Sequence, residues 1–285
     1  MTKKAKIITI SIVLSLLALI AILFGAVFCL YRQDVVFVGV RSNTINITDE
    51  DIIKSADLKR GRPIFSLDKE TASNNIERDY PYLKVIQIST VSVIEVEINV
   101  RERYEMYYTY SDSTKKYYIL DEELKVLNIV DDEPTGMTKI EGTILGEDGA
   151  DILGITSNTV KSDFLSTENY RDITYNLFIS MCSTVMIDDS GTDRYVERDD
   201  IRSMVDSLQF AKGYTLQETY DRVILNLSNG FVIDIGKPQD ELQDKVNVCF
   251  KAMESFIERG ETGGTIKVTY LDNGKEKIHF IRNKS

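Results

Sequence analysis

Few residues of this chain have the types and spacing that enzyme chemistry needs. The single histidine, His279, lies in a predicted strand, where a lone histidine is more often a surface residue than a catalytic one. Asp188, Asp189 and Asp193 could approach a cation, but they lack the spacing and the terminal glutamate of a calcium loop. There is no glycine-rich phosphate loop and no Gly-x-Ser-x-Gly motif. The sequence therefore predicts no catalytic, cofactor-binding or metal-binding residue, and a protein that is not an enzyme.

The N-terminal segment predicts a membrane anchor. From Ile7 to Leu30 no residue is charged, and a helix of this length exceeds the roughly 30 Å hydrocarbon core of a bilayer. Three lysines precede the run, which predicts a cytoplasmic N-terminus. A cleaved signal peptide is one alternative, but its apolar core is shorter, about 7–15 residues. A lipidated Cys29 is the other, but the residue before it is the bulky Phe28, where lipoprotein signals have a small residue. We therefore expect a cytoplasmic tail at 1–6, a transmembrane helix at 7–30, and a single-pass type II protein of the cell membrane.

The remainder of the chain is acidic. The whole sequence carries 45 acidic and 34 basic residues, a net charge of −11, and three of the basic residues lie in the tail. This balance argues against nucleic acid or anionic lipid as a general partner. Of the three cysteines, Cys182 and Cys249 lie far apart in apolar segments, and no Cys-x-x-Cys motif is present. Buried thiols are favoured over a disulfide, so the fold must be held by its core.

The region after the anchor predicts a β-α-α-β-β unit. A β-rich run at 35–38 precedes Thr48, whose hydroxyl is followed by three acids and therefore predicts a helix start. Asp68 can cap a second helix, which Pro81 ends. At 94–101, apolar and polar residues alternate without exception, which predicts a strand with one buried and one wet face.

The last third of the sequence predicts a second helix-plus-sheet domain. Two apolar runs flank Asn229-Gly230, the strongest short signal for a hairpin. A helix is predicted from about residue 239 to 259, with Gly260 at its end. A final hairpin is predicted with strands at 265–271 and 277–281.

The order of these motifs resembles the bacterial division proteins of the FtsQ/DivIB family. The motifs that carry the resemblance are Phe37-Val38-Gly39-Val40, Thr48 to Ile52, Gly61 to Asp68, Pro81 to Lys84, Val100 to Arg103 and Tyr117 to Asp121. The resemblance implies a POTRA-like domain at 31–104 and a second α+β domain at 105–285. The glycine usual in the turn after Asp121 is absent, as is the proline usual before the alternating strand.

The resemblance also implies a function. It implies a non-enzymatic scaffold of the division machinery at the septum, without cofactors. The implied partners are single-span coiled-coil proteins of the FtsL and FtsB/DivIC type and other divisome membrane proteins. By position, Tyr270, Gly274 and Phe280 in the final hairpin would be the partner-binding residues. The alternative is an extracytoplasmic sensor that binds a ligand, although the short predicted tail weighs against signalling.

A physical argument also points to the final hairpin. A strand at the edge of a sheet has unpaired amides and carbonyls that accept a strand from another protein. We therefore expect a partner segment to pair beside residues 277–282.

Overall fold

A computed structural model describes most of the chain. The described residues are 3–27, 32–39, 46–59, 61–141, 153–187, 193–197, 203–214, 219–239, 241–270 and 276–282. The chain divides into two compact units, Met1–Arg103 and Tyr104–Ser285.

The first helix, α1, runs from Lys3 to Val27. The side chains described in it are those of residues 9–23, and all of them are exposed. Within the described part of the chain, no helix is long and apolar enough to cross a membrane. The transmembrane helix at 7–30 stays a prediction.

The rest of the first unit has the predicted β-α-α-β-β order. Its elements are β1 (Arg32–Phe37), α2 (Asp49–Ser55), α3 (Lys69–Asp79), β2 (Leu83–Ser92) and β3 (Glu95–Glu102). The sheet order is β1-β3-β2, with β1 parallel and β2 antiparallel to β3. Both predicted helix caps are present: the Thr48 hydroxyl accepts from Asp51 N, and the Asp68 carboxylate accepts from Thr71 N.

The core of this unit lies between the sheet and the two helices. Val96, Ile98 and Val100 are fully buried, whereas the residues between them are partly exposed, which confirms the predicted alternation. They pack with Ile52 of α2 and Ile76 of α3. An amphipathic strand and two short amphipathic helices thus form a small two-layer domain.

Arg103, at the end of the Val100 to Arg103 motif, connects α3 to the sheet by hydrogen bonds. Its buried guanidinium donates to Glu77 Oε2 at 2.9 Å and to the Leu83 carbonyl at 3.3 Å. Glu77 also accepts from Val85 N through Oε1. Because a buried charge needs partners, the loss of either side chain would remove one charged partner of the other.

The second unit is built on a nine-stranded mixed sheet of order β14-β13-β12-β11-β10-β7-β4-β5-β6. The strands on one side are β4 (Tyr107–Ser111), β5 (Lys116–Leu120), β6 (Val126–Val130) and β7 (Thr138–Glu141). Those on the other side are β10 (Val205–Tyr214), β11 (Thr219–Leu227), β12 (Phe231–Gly236), β13 (Gly264–Tyr270) and β14 (Glu276–Arg282). A separate hairpin joins β8 (Ser183–Ile187) and β9 (Asp193–Glu197).

Two helices pack on this sheet, α4 (Glu168–Cys182) and α5 (Leu242–Glu258). Leu177 of α4 and Phe250 of α5 are among the fully buried side chains of this core. Cys249 is buried on the same helix face, and no disulfide joins it to Cys182. Both predicted hairpins, around Asn229-Gly230 and at 265–281, are present.

Several features of this unit differ from the sequence expectation. Strand β10 was not predicted, although it links the two halves of the sheet through parallel pairing with β7 and antiparallel pairing with β11. In the turn after Asp121, Leu124 adopts the left-handed conformation (φ 59°) that the missing glycine would otherwise take. The buried Asp121 carboxylate holds this turn by accepting from the amides of Glu123 and Lys125.

Candidate partner-binding edge

The two edge strands of the nine-stranded sheet have different surroundings. We call the edge at β6 the covered edge. It is hydrogen-bonded to the segment that precedes α4. Val126 N donates to the Asp163 carbonyl and Ser162 N to the Val126 carbonyl, both at 2.8 Å. Lys125 forms an isolated bridge with Phe164, whose ring lies 4.8 Å from the Lys125 ammonium. The chain therefore satisfies part of this edge by itself.

The opposite edge, at β14, we call the open edge. Within the described ranges, β14 pairs with β13 alone, and no strand lies along its outer side. The pairing with β13 is continuous over seven residue pairs, from Gly264 with Arg282 to Tyr270 with Glu276. Since alternate residues of an edge strand direct their amide and carbonyl away from the sheet, β14 offers a row of backbone donors and acceptors.

Aromatic packing fixes β14 against the core. The Phe280 ring stacks on Phe256 of α5, with centroids 4.1 Å apart and planes 17° apart. Its centroid also lies 6.3 Å from that of the buried Phe231. Phe280 is paired with Ile266, so the two side chains share the face of the sheet that α5 covers. The edge strand is thus positioned by its inward side chain.

Gly264 makes room for this ring. A Cβ atom at Gly264 would lie 2.5 Å from a carbon of the Phe280 ring and 2.8 Å from the Ile281 carbonyl oxygen. Backbone φ at Gly264 is +148°, a value that residues other than glycine rarely adopt. Both constraints require glycine where β13 begins.

Charged side chains lie on the other face of the sheet, near the open edge. The buried Asp234 carboxylate accepts from the Arg222 guanidinium at 2.8 and 2.5 Å, and Lys267 Nζ lies 3.6 Å from it. Asp234 is paired with Lys267, and Lys267 with His279, so the three residues form a row across β12, β13 and β14. Two cations therefore lie against one buried carboxylate.

The structure positions the three predicted site residues unequally. Tyr270 lies at the end of β13, opposite Glu276, and its side chain is outside the described residues. Gly274 also lies outside them. Phe280 is half-buried and its ring stacks on Phe256, and its part in partner binding stays a prediction.

Sequence reasoning missed two residues that matter at this edge. Gly264 could have been suspected, because a glycine at the start of a β-rich run often marks a close approach of another group. Asp234 gives no comparable signal, because its pairing with Arg222 and Lys267 depends on contacts between strands that sequence spacing does not reveal.

The motifs of the first unit agree with a known domain. The FtsQ-type POTRA domain model matches residues 38–103, which cover α2, α3, β2 and β3. Residues 38–103 resemble an FtsQ-type POTRA domain. The predicted resemblance to the FtsQ/DivIB family is confirmed over this POTRA-like unit and by the relatives described next.

Two curated relatives carry the name cell division protein DivIB. The protein of Clostridium acetobutylicum is 32% identical over 93 residues, which are 33% of this chain and 36% of the relative. The protein of Clostridium tetani is 35% identical over 94 residues, which are 33% of this chain and 34% of the relative. The chain thus spans about a third of the length of the relatives it matches.

Proposed function

We propose that this chain is a non-enzymatic scaffold of the bacterial division machinery, acting through protein contacts outside the membrane. The observation that carries the proposal is the open edge at β14, in a chain whose first unit resembles the FtsQ-type POTRA domain. Both relatives are named as division proteins, which supports the same process for this chain.

The proposal includes a membrane anchor at residues 7–30 and a location at the septum. The run without charge, the lysines before it, and the exposed apolar side chains of residues 9–23 support the anchor. The chain is then a single-pass type II protein, with a POTRA-like domain at 31–104 and a second domain at 105–285 outside the membrane.

The contact that we propose is addition of a partner strand along the outer side of β14. Backbone bonds would supply affinity, and nearby side chains would select the partner. The proposed partners are single-span coiled-coil proteins of the FtsL and FtsB/DivIC type. Tyr270, Gly274 and Phe280 belong to this proposed region.

Two adjacent proline substitutions test the strand contact. Neighbouring amides of a strand point to opposite sides, so one of Phe280→Pro and Ile281→Pro removes an outward amide and the other an amide bonded to β13. The variant that loses the outward amide should stay folded, because proline is tolerated in an edge strand. It should lose partner binding, because proline has no amide hydrogen to donate to the partner strand. Affinity is measured with the full chain in lipid nanodiscs and purified ectodomains of candidate partners.

Ile281→Ser is the matched control, since it keeps the amide and removes the exposed apolar side chain. We expect it to bind several-fold more weakly at most. Circular dichroism verifies folding of each variant. Unchanged affinity in both proline variants would place the interface away from β14.

A further inference from the structure

One end of the three-stranded sheet gathers the residues that follow the proposed anchor. Strand β1 begins at Arg32, which is paired with Glu95 at the start of β3. Arg32 N donates to the Ile94 carbonyl at 2.9 Å. The turn between β2 and β3 therefore lies directly beside the point where the chain enters the POTRA-like unit. We call this end of the unit the entry end.

The β2–β3 turn carries an exposed aliphatic cluster. Val91, Val93 and Ile94 are 57%, 47% and 37% exposed. No residue from Val85 to Ile94 is charged, although 28% of the chain is. Turns between strands usually contain glycine, asparagine or aspartate, which are stable in water. A turn of exposed β-branched residues instead indicates a surface that is covered by an apolar medium.

A second loop lies at the same end. The Gln33 side chain donates to the Leu58 carbonyl at 2.5 Å, which ties the segment after α2 to the start of β1. Lys59 and Arg62 follow, and both are exposed. Phe65, in the short 3-10 turn Ile64–Ser66, is 81% exposed. Arg62 precedes Phe65 by three residues, and an exposed aromatic ring close in sequence to a cation is typical of segments that contact the interface of an anionic bilayer.

The acidic groups at the entry end are paired within the unit. Arg32 Nε lies 3.1 Å from Asp34 and 3.6 Å from Glu95. Asp57 lies 3.2 Å from Lys59 Nζ. Opposite charges thus offset these carboxylates, whereas the chain as a whole is strongly acidic. The entry end thus combines offset charges with exposed aliphatic side chains.

Chain length decides which apolar medium is within reach. The proposed anchor ends at Leu30, two residues before Arg32. Two residues span at most about 7 Å, so the start of β1 lies close to the end of the proposed anchor. Where that anchor crosses a bilayer, the entry end has to face the bilayer surface.

We propose that the entry end of the POTRA-like unit is a lipid-contacting surface, an inference that rests on the anchor in the proposed function. Val91, Val93 and Ile94 enter the interfacial layer of the outer leaflet. Arg62 faces anionic phospholipid headgroups, and Phe65 lies at the depth of the headgroups. Strand β1 then rises away from the membrane, and the acidic remainder of the unit stays in water.

Single-tryptophan fluorescence tests the inference, because the sequence contains no tryptophan. Val93→Trp and Val38→Trp form a matched pair: the two valines are 47% and 48% exposed. Val38 follows the far end of β1, where its amide donates to the Val100 carbonyl at 2.7 Å. Each full-length variant is reconstituted in nanodiscs that contain anionic phospholipid, with and without brominated acyl chains.

The tryptophan of Val93→Trp should emit at shorter wavelength, and brominated lipid should remove about half of its emission. The tryptophan of Val38→Trp should emit as in water and keep its emission. Equal emission and equal quenching of the two variants would overturn the inference. An added Arg62→Glu substitution should weaken the quenching in Val93→Trp, since it places a carboxylate against anionic headgroups.

Retention of the chain in the nanodiscs is measured in the same samples by size-exclusion chromatography at high salt. Chain that is retained but shows no quenching at residue 93 would overturn only the lipid contact. Chain that is not retained would overturn the anchor, and the lipid contact with it.

Discussion

The covered and open edges of the nine-stranded sheet differ in how their backbone groups are satisfied. At β6, the segment at 162–165 supplies partners from the same chain and shields the strand. At β14, the described chain supplies partners on one side only, and the strand is held by an inward phenylalanine. Natural proteins cover, charge or pair their sheet edges to avoid self-association. The difference fits the proposal that a partner strand binds at β14 rather than at β6.

The largest effect on stability and on partner affinity is expected at Gly264, the first residue of β13, which contacts the open edge. Gly264→Ala forces the Phe280 ring and the Ile281 carbonyl to move, and it strains a backbone with positive φ. We expect the free energy of unfolding to fall by about 3 kcal/mol and partner affinity to fall at least tenfold. Urea denaturation and a binding titration measure the two quantities.

Gly260→Ala is the matched control for that variant. Gly260 also has positive φ (+85°), but no atom lies within 4 Å of a Cβ added there. The cost should be about 1–2 kcal/mol, with partner affinity unchanged. Equal loss of affinity in the two alanine variants would show that global stability, rather than the position of β14, controls binding.

Phe280→Ala should have the next largest effect. The ring stacks on Phe256 and is half-buried, so its removal should lower the free energy of unfolding by about 2 kcal/mol. Ile281→Ala, next to it and exposed, should change that free energy by only about 0.5 kcal/mol. Similar losses in both variants would contradict the inward packing of Phe280.

A smaller effect is expected at the covered edge. Phe164→Ala removes a ring that contacts the cationic groups of Lys125 and Arg171, at a cost of about 1 kcal/mol. Hydrogen exchange of the Val126 amide should accelerate, because the segment that accepts its hydrogen bond at Asp163 is held less firmly. Partner affinity should stay unchanged. A loss of affinity would make the covered edge part of the interface and remove the contrast between the edges.

The smallest effect concerns Tyr108, two strands from the covered edge. Burial, followed by the hydrogen bond to Glu133, raises the pKa of Tyr108 to about 12. An unfolded tyrosine has a pKa of about 10, so the folded protein holds this proton more strongly. The stabilisation is full below pH 10 and is lost as pH rises from 10 towards 12. In thermal melts between pH 9 and 11, Tyr108→Phe should reduce the fall in Tm, whereas an unchanged fall would contradict the shift.

The sequence predicted the elements whose signals are local. The alternation at 94–101, the caps at Thr48 and Asp68, and the Asn229-Gly230 turn each depend on a few neighbouring residues. Strand β10 escaped notice because its parallel pairing with β7 joins residues far apart in sequence. The sequence predicts that the last strand lies at a sheet edge. It does not predict the close contact of Gly264 with Phe280, because these residues are also far apart in sequence.

The turn at Leu124 shows a second limit of sequence patterns. Leu124 has positive φ, which costs a leucine about 1–2 kcal/mol. Leucine is therefore rare at such positions, and it does not indicate a turn as glycine does. The structure holds it because the Leu124 side chain is fully buried and the Asp121 carboxylate binds two amides of the turn. Tertiary packing thus overrides a local preference, which no motif records.

The parallel pairing of β1 with β3 has a mechanical consequence. The chain enters the POTRA-like unit at the start of β1 and leaves it after the end of β3, at opposite ends of two strands that run side by side. Tension between a membrane anchor and the second unit would pull these strands past one another along their length. All six residue pairs from Arg32 with Glu95 to Phe37 with Val100 would then carry load together, rather than separating one after another. This geometry resists shear, which would matter if the proposed anchor and the proposed partner contact pulled on the unit from its two ends.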